Sequence, residues 1–582
     1  MSLSPKIFLI LVLFTFFSIL VFPGYEVFIS DQEIYLPLAY HHVDKDLFSQ
    51  DLILKFDVLQ YSLFDELIAF LLGFTSNISI ILFFVYMLTR FIYFYALFKL
   101  ALYFTKDEKF SILSLLLFVP TISVYGTQIF DTLLIPRVIG FSLGLLSLAY
   151  FFERRYFTST ILLSLHYLIH PLTSFFFMAF FYANLLFNFE KKKFFNKELL
   201  LPGLIPIITF FFTAIMNGPG LGFFNIIDDS WNSIILFRWS SFFVSGWDYK
   251  LFLVLFTSII VFLIGLDSYR DRVKKIPLVV LLLLPLFMFM ISFFAADLLK
   301  LHFIAQLQIY RSLFFIKIFG ALLFFRMAYL HIKRNSRDIF YNFFMLGTVF
   351  SYFVNEDFIY PFFYTFLYLW INRRYKARLT RMIPIFKHES VSIILFIPIF
   401  FLFFIVVRNF PSFSLFLLLV VFSAATTFTA LAYFKKNFPF TTLHVSIFFL
   451  VIIIISIPSF SIYSSYYKDK ELVASCEWIK ENTAKDSVFI TFPDKLSRPI
   501  RLLCHRSVFA SGREGSSSLF DRSFAFEWKK RMEIHSAVYA NISSIKSLTS
   551  DYRIDYVFSK GPLMLDYPLV YNNSIYHIYN LK

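Results

Sequence analysis

The stretch "FISDQEIYLPLAYHHVDKDLF", residues 28–48, decides how the chain is read, because it follows directly on the first apolar run. Two carboxylates, Asp31 and Glu33, stand where a membrane span would end. Two histidines, His41 and His42, come within about three helical turns of them. Most of the chain around this stretch is apolar. Of 582 residues, 59% are hydrophobic and 16% charged, 87 are Phe, and mean hydropathy is +0.72. A soluble protein of this length could not hide so much apolar side chain.

The net charge of +15 is not a nucleic-acid footprint. The basic residues gather in short clusters between apolar runs: Lys106 with Lys109, Arg154 with Arg155, residues 190–197, 269–275, 331–337 and 372–381, and Lys435 with Lys436. That is the positive-inside pattern of a multi-pass protein.

Apolar runs of spanning length, about 17–25 residues, lie near 5–23, 78–104, 110–125, 138–152, 156–170, 172–188, 199–216, 250–266, 277–296, 313–331, 339–354, 357–371, 390–407, 413–433 and 440–458. The expectation is an α-helical polytopic membrane protein with about 13–15 spans, the count depending on whether short neighbours merge. The first run resembles a signal peptide but lacks a small-residue cleavage site, so it is read as a retained span with Lys6 on the cytoplasmic side. All basic clusters then fall inside. The loop at 25–60, with its acidic pair, lies outside, as do the loops near 126–137, 217–249 and 297–312.

Composition changes near residue 460, dividing the chain into a polytopic part, 1–460, and a tail, 461–582. In the tail, "KDKELVASCEWIKENTA" has helical spacing, with Leu472, Val473, Cys476 and Ile479 on one side. "DSVFITFP" and "RPIRLLCHRSVFAS" read as strands, "SFAFEWKKRMEIHSAV" as a helix, and "RIDYVFS" and "SIYHIYNL" as closing strands. This alternation predicts a small extracytoplasmic α/β domain. Cys476 and Cys504 both lie in it, either as a disulfide or as two buried thiols. No Cys/His spacing suits zinc, and no internal repeat is evident.

Ionisable residues in or beside the membrane are costly and call for a functional explanation. Asp31 and Glu33 head that group, against the alternative of a solvated cap on the first span. His41 and His42 lie in a stretch expected to form juxtamembrane amphipathic helices, where most charges would simply face water. Arg90 sits mid-span and needs a carboxylate, a carbonyl or a lipid phosphate as partner. Arg137, in "LLIPRVIGF", and Arg311, in "AQLQIYRSLFFIKIFG", place cations at outer span ends. His170 precedes Pro171 where one span turns into the next, and it serves equally as a helix cap. Arginine suits phosphate because its planar fork donates two hydrogen bonds at once.

The acidic pair after a first span, the juxtamembrane segments, the many spans and the outer α/β tail together resemble the GT-C superfamily of membrane glycosyltransferases, which use polyprenyl-phosphate-linked sugars. "SDQEIYLPLAYHHVDKDLFSQD", "IPRVIGFSLGLLSLAYFFERR", "LHYLIHPLTSFF", "QLQIYRSLFFIKIFG", "CEWIKENTAKDSVFITFP" and "DYRIDYVFSKGPL" resemble, more narrowly, a bacterial multi-pass family with that layout. The acidic motif reads Asp31-Gln32-Glu33, a D-x-E form rather than the commoner D-x-D, which leaves open which carboxylate is catalytic.

The resemblance implies inverting sugar transfer from a polyprenyl-phosphate carrier to a glycan, lipid or protein acceptor, on the extracytoplasmic face of the inner (plasma) membrane. Asp31 would be the general base. Glu33 would orient the acceptor or share a divalent metal (Mg or Mn) with Asp31. Arg137, Arg311, His170 and Arg90 would hold the donor phosphate. His41 and His42 would contact the acceptor or the loop. The main rival is a transporter or flippase for a lipid-linked or anionic solute, disfavoured by the missing repeat and the large tail. A scaffold without chemistry would leave the polar cluster unexplained. Neither "GxGxxG" nor "GxxxxGK[ST]" occurs in the outer loops or tail, which favours a lipid-linked over a nucleotide donor.

Overall fold

A computed structural model describes residues 4–20, 24–56, 62–118, 123–124, 127–128, 131–187, 197–216, 225–269, 272–334, 461–542, 545–546 and 551–582, with isolated positions between 341 and 370. Helix dominates the first part. Four helices are long and apolar enough to cross a membrane: Ile78–Thr105, Tyr249–Asp267, Lys275–Leu298 and His302–Lys333. Pro5–Leu20, Pro136–Phe152 and Tyr156–Ile169 are apolar but shorter.

The expected spans near 78–104, 250–266, 277–296 and 313–331 fall on the four long helices. The run at 110–125 does not form one helix. It gives Glu108–Ser114, a 3-10 turn at Leu115–Phe118, and then Ser123–Val124 paired antiparallel with Thr127–Gln128. Pro120 disfavours helix in the residue before it, so the apolar run is cut short. The five spans expected between 339 and 458 lie outside the described residues, apart from the isolated positions.

Aromatic rings fill the helix crossings. Phe104 meets Phe152, Tyr269 and Phe319, with centroids 5.1, 6.4 and 6.1 Å away. Other apolar side chains stay outside: Phe84, Leu88, Leu263, Leu283 and Phe287 are all exposed. The two ends of the helical body differ. At one end Tyr269 donates to the Phe104 carbonyl at 2.9 Å, and Lys99 pairs with Glu153 at 2.8 Å beside Arg154 and Arg155. The loops expected on the opposite face gather at the other end.

The tail builds a five-stranded sheet from β1 (Val488–Phe492), β2 (Ser507–Val508), β3 (Tyr556–Lys560), β4 (Leu569–Asn572) and β5 (Tyr576–Asn580), in spatial order β2-β1-β3-β5-β4. β1 is parallel to β2 and β3, with Phe489 opposite Tyr556, while β5 runs antiparallel to both β3 and β4. All five β1 residues are buried, as a near-continuous apolar run requires when helices cover both faces.

Lys470–Asn482 and Arg522–Ala540 are helical as expected. "RPIRLLCHRSVFAS" is not a single strand. Ser497–Leu502 is a helical turn with Pro499 near its start, and only Ser507–Val508 joins the sheet. Short apolar runs are ambiguous between the two forms. Cys476 and Cys504 form a disulfide, resolving the alternative left open by the sequence.

This α/β unit sits on the loop end of the helical body. Trp231 donates to the Ser518 carbonyl at 2.8 Å and Gln306 to the Phe520 carbonyl at 3.1 Å, while His302 lies 2.9 Å from the Leu519 carbonyl. Lys485 pairs with Asp44 at 2.7 Å, and the His505 ring lies 4.3 Å from Tyr40. Segments from three of the expected outer loops therefore touch one partner.

Candidate active site

The opening stretch is held by its one neutral polar residue between the carboxylates. Gln32 is fully buried. Its Oε1 accepts the Phe28 N–H at 2.7 Å, and its Nε2 donates to the Leu134 carbonyl at 3.0 Å. Glu26 N–H donates to the Thr132 carbonyl at 2.9 Å. These bonds lay residues 26–32 against residues 131–137. Asp31 then stands just before the Gln32–Val43 helix, its side chain making no capping bond, and Arg137 lies in the first turn of Pro136–Phe152.

Between these segments and the α/β unit lies a cavity of about 400 Å³. Asp31, Asp131, Arg137, His170, Arg238, Gln308, Arg311 and Arg513 all line it, and Tyr35, Trp239 and Phe242 supply apolar wall. Four of the residues singled out in the sequence, Asp31, Arg137, His170 and Arg311, thus meet.

Arg137 donates from Nε (3.3 Å) and Nη2 (2.8 Å) to Asp131 Oδ2, and Nη2 is 4.0 Å from Asp31 Oδ2. Burial pushes the Asp131 carboxyl up from its usual range, opposed by the Arg137 charge. Arg513, from the α/β unit, binds Asp31 Oδ1 through Nη2 and donates from the same nitrogen to Ser30 Oγ at 2.5 Å. Arg238 and Arg311 make no ion pair among the described residues. Their Nε atoms, with Gln308 Oε1, are buried without a hydrogen-bond partner. Burial, with the nearby Arg513 charge, presses the Arg238 guanidinium below its ordinary value.

His170 sits at the break between Tyr156–Ile169 and Pro171–Phe187, with Nδ1 2.8 Å from Thr173 Oγ1. His166 Nε2 approaches the same hydroxyl at 2.8 Å. Gly140 permits this close approach, since a Cβ there would lie 2.5 Å from the His166 ring.

Glu33 does not line the cavity. Residues i and i+2 on a helix point about 200° apart, and Glu33 opens the helix that Asp31 precedes. Its buried carboxylate accepts from Ser497 Oγ (3.0 Å), Ser511 Oγ (2.5 Å) and Arg498 Nε (3.2 Å). Arg501 Nη1 is 3.7 Å away. Arg501 also donates to Asp51 from Nε (3.0 Å) and Nη2 (2.9 Å) and contacts Glu514. The Asp31–Glu33 pair therefore does not converge as two ligands of one metal.

His41 Nδ1 lies 2.7 Å from the Leu47 carbonyl, and His42 Nε2 lies 2.9 Å from Asp65 Oδ2. Among the described residues, His42, Asp65 and Glu66 are the group whose potential metal-binding atoms lie within 4.8 Å of one another. Arg90 is buried elsewhere, donating to Ser18 Oγ at 3.0 Å beneath Tyr93 and Phe94.

Sequence reasoning missed Asp131, Arg238 and Arg513. The signal for Arg513 was the Gly/Ser-rich turn "SGREGSSS" at 511–518, which lets a loop approach another surface closely. None of the curated proteins matches this chain. The family described as "Domain of unknown function (DUF6798)" matches residues 470–535, a segment that includes Arg498, Arg501 and Arg513.

Proposed function

We propose that the protein is a multi-pass membrane glycosyltransferase of GT-C type, transferring a sugar from a polyprenyl-phosphate carrier to a hydroxyl acceptor with inversion. The observation that carries this reading is the meeting of Asp31 with Arg137, Arg238, Arg311 and Arg513 around one cavity. Asp31 takes the acceptor proton. The acceptor oxygen attacks the anomeric carbon, the bond from that carbon to the phosphate oxygen breaks, and Arg238, Arg311 and Arg513 hold the charge that develops on the departing phosphate, while Arg137 stays on Asp131. His170 contributes a polar wall. Glu33 serves docking rather than chemistry, and the divergence of Asp31 from Glu33 does not suit a metal at that motif, so no step is routed through one.

The reading includes orientation. The cavity and the α/β unit lie on the extracytoplasmic face of the inner (plasma) membrane, with the N-terminus cytoplasmic. Basic residues near Phe104, Glu153 and Tyr269, at the opposite end of the body, support this arrangement. So does the Cys476–Cys504 disulfide, which suits an oxidising compartment.

The test is transfer of labelled sugar from lipid carrier to acceptor by the purified full-length protein in lipid nanodiscs. Asp31→Asn keeps the side chain's size but cannot accept the proton, and the rate falls about 10²–10⁴-fold. Full transfer by Asp31→Asn would sink the assignment of the base. Labelled lipid crossing a sealed bilayer without transfer would point to a carrier instead.

A further inference from the structure

Arg513 occupies an unusual position in the cavity. It comes from the α/β unit, yet its guanidinium binds Asp31 Oδ1 and Ser30 Oγ in the first loop. Its side chain is about one-third exposed, at 32%, whereas Arg137 is at 17% and holds Asp131 through Nε and Nη2. While that contact stands, the Oδ1 side of Asp31 is covered by a guanidinium and is not open to an acceptor hydroxyl. Beside this pair stand Arg238 and Arg311, which have no carboxylate of their own among the described residues and keep buried N–H donors unused. The cavity wall thus carries four guanidinium groups against two carboxylates, Asp31 and Asp131.

We propose that Arg513 is an exchangeable clamp: a phosphoryl anion entering the cavity takes Arg513 from Asp31 and joins it to Arg238 and Arg311, leaving Asp31 free. The exchange breaks no covalent bond. One guanidinium–carboxylate contact is replaced by a guanidinium–phosphoryl contact, which suits the arginine fork better because more acceptor oxygens are offered. Arg137 does not take part, since its Nε and Nη2 are held on Asp131. Arg513 is a positioning residue, and through it binding of the anion and exposure of the base become one event. This rests on the site assigned above, and it adds that Asp31 and the ligand compete for the same cation.

Competition has a signature opposite to that of ordinary site residues, because removing a competitor tightens binding. The experiment measures binding of inorganic phosphate and of a long-chain isoprenyl monophosphate to the full-length protein in nanodiscs. Four proteins are compared: wild type, Asp31→Asn, Arg513→Gln and the double variant. Asp31→Asn should bind inorganic phosphate about three- to five-fold more tightly, the upper scale of losing one partly exposed ion pair. In the Arg513→Gln background the same change should alter affinity less than about two-fold, the cycle isolating the coupling of the two residues. Arg513→Lys, which keeps a cation without the fork, should retain a smaller gain.

An equal gain in both backgrounds would mean that only the field of the lost charge matters, and the clamp would be refuted. No gain in either would refute it as well, while the anion site stood. Failure of wild type to bind either probe would overturn the anion site itself and the proposed donor pocket with it. The same coupling with the isoprenyl phosphate would identify a lipid-borne ligand. Coupling with inorganic phosphate alone would uphold the clamp and count against a lipid donor.

Discussion

Two clusters of arginine and carboxylate, each joining the first loop to the tail, lie on either side of the Gln32–Val43 helix start, and the second also takes in Asp131, Arg137, Arg238 and Arg311. In the inner one, Arg498 and Arg501 face Glu33, Asp51 and Glu514, and every carboxylate has a guanidinium within 4 Å. Its centre is dry, with Arg501, Asp51 and Glu514 at 0% exposure, and Arg498 stands at its rim. In the other, cations outnumber carboxylates and the walls border a cavity. The same residue types thus serve two ends. A closed set of charges joins two pieces of chain, and an open set with surplus donors is ready for an anion. The number of partners, more than the residue type, separates adhesive from site.

The largest break in this comparison should come from the closed cluster. Arg501→Met leaves three buried carboxylates short of a partner, and loss of one member of a buried pair costs about 3–5 kcal/mol. Thermal unfolding in nanodiscs, with limited proteolysis of the tail, should report early release of the α/β unit. A variant as stable as wild type would show that the cluster contributes no adhesion.

Next is the disulfide, which closes a loop of sequence separation 28 within the docked unit. Loop-closure entropy for that length corresponds to about 3–4 kcal/mol. Cys476→Ser with Cys504→Ser should lower the unfolding midpoint, and mild reductant should reproduce the shift in the wild type alone.

The open cluster should behave in the opposite sense. Arg311→Ala removes a guanidinium that forms no ion pair among the described residues and whose Nε has no partner there, so stability should change by no more than about 0.5 kcal/mol. Phosphate affinity should fall about ten- to a hundred-fold, the scale of hydrogen bonds to a charged group. A large stability loss with unchanged binding would move Arg311 into the adhesive class.

A graded effect is the pH response of the interface. Burial, with the charges of Lys480 and Arg506, holds the His505 imidazole down at about 3, against an ordinary 6.5. The folded state therefore resists protonation. Stability is fully present above pH 6.5 and declines as pH falls through it, by about 2 kcal/mol on reaching pH 5. His505→Gln should flatten that slope in a thermal unfolding series.

The helical body was legible because apolar composition and run length are local properties. Asp31, Arg137, His170 and Arg311 were legible for a related reason, since each stands at the end of an apolar run on the same side of the alternation. Glu33 was read beside Asp31 because two residues of separation look close in a string, while a helix beginning at Gln32 turns them apart and gives Glu33 partners of its own in the tail. Arg513 escaped notice because an arginine in a soluble-looking tail is ordinary. Its meaning comes from a carboxylate 482 residues earlier. Arg498 and Arg501 escaped for the same reason. Interface charges have no local periodicity, and only the docked fold shows which are matched.

The distance along the chain between Asp31 and Arg513 also bears on time. Asp31 leaves the ribosome early and Arg513 follows 482 residues later. At about 5–20 residues per second that interval is roughly 25 to 100 seconds. Throughout it the first loop carries its carboxylate without the clamp, and the cavity lacks the wall that the tail supplies. Completion of the pocket is therefore among the last events of biogenesis, waiting on synthesis and docking of the α/β unit, and a chain truncated before residue 513 would carry its helices yet leave the pocket unfinished.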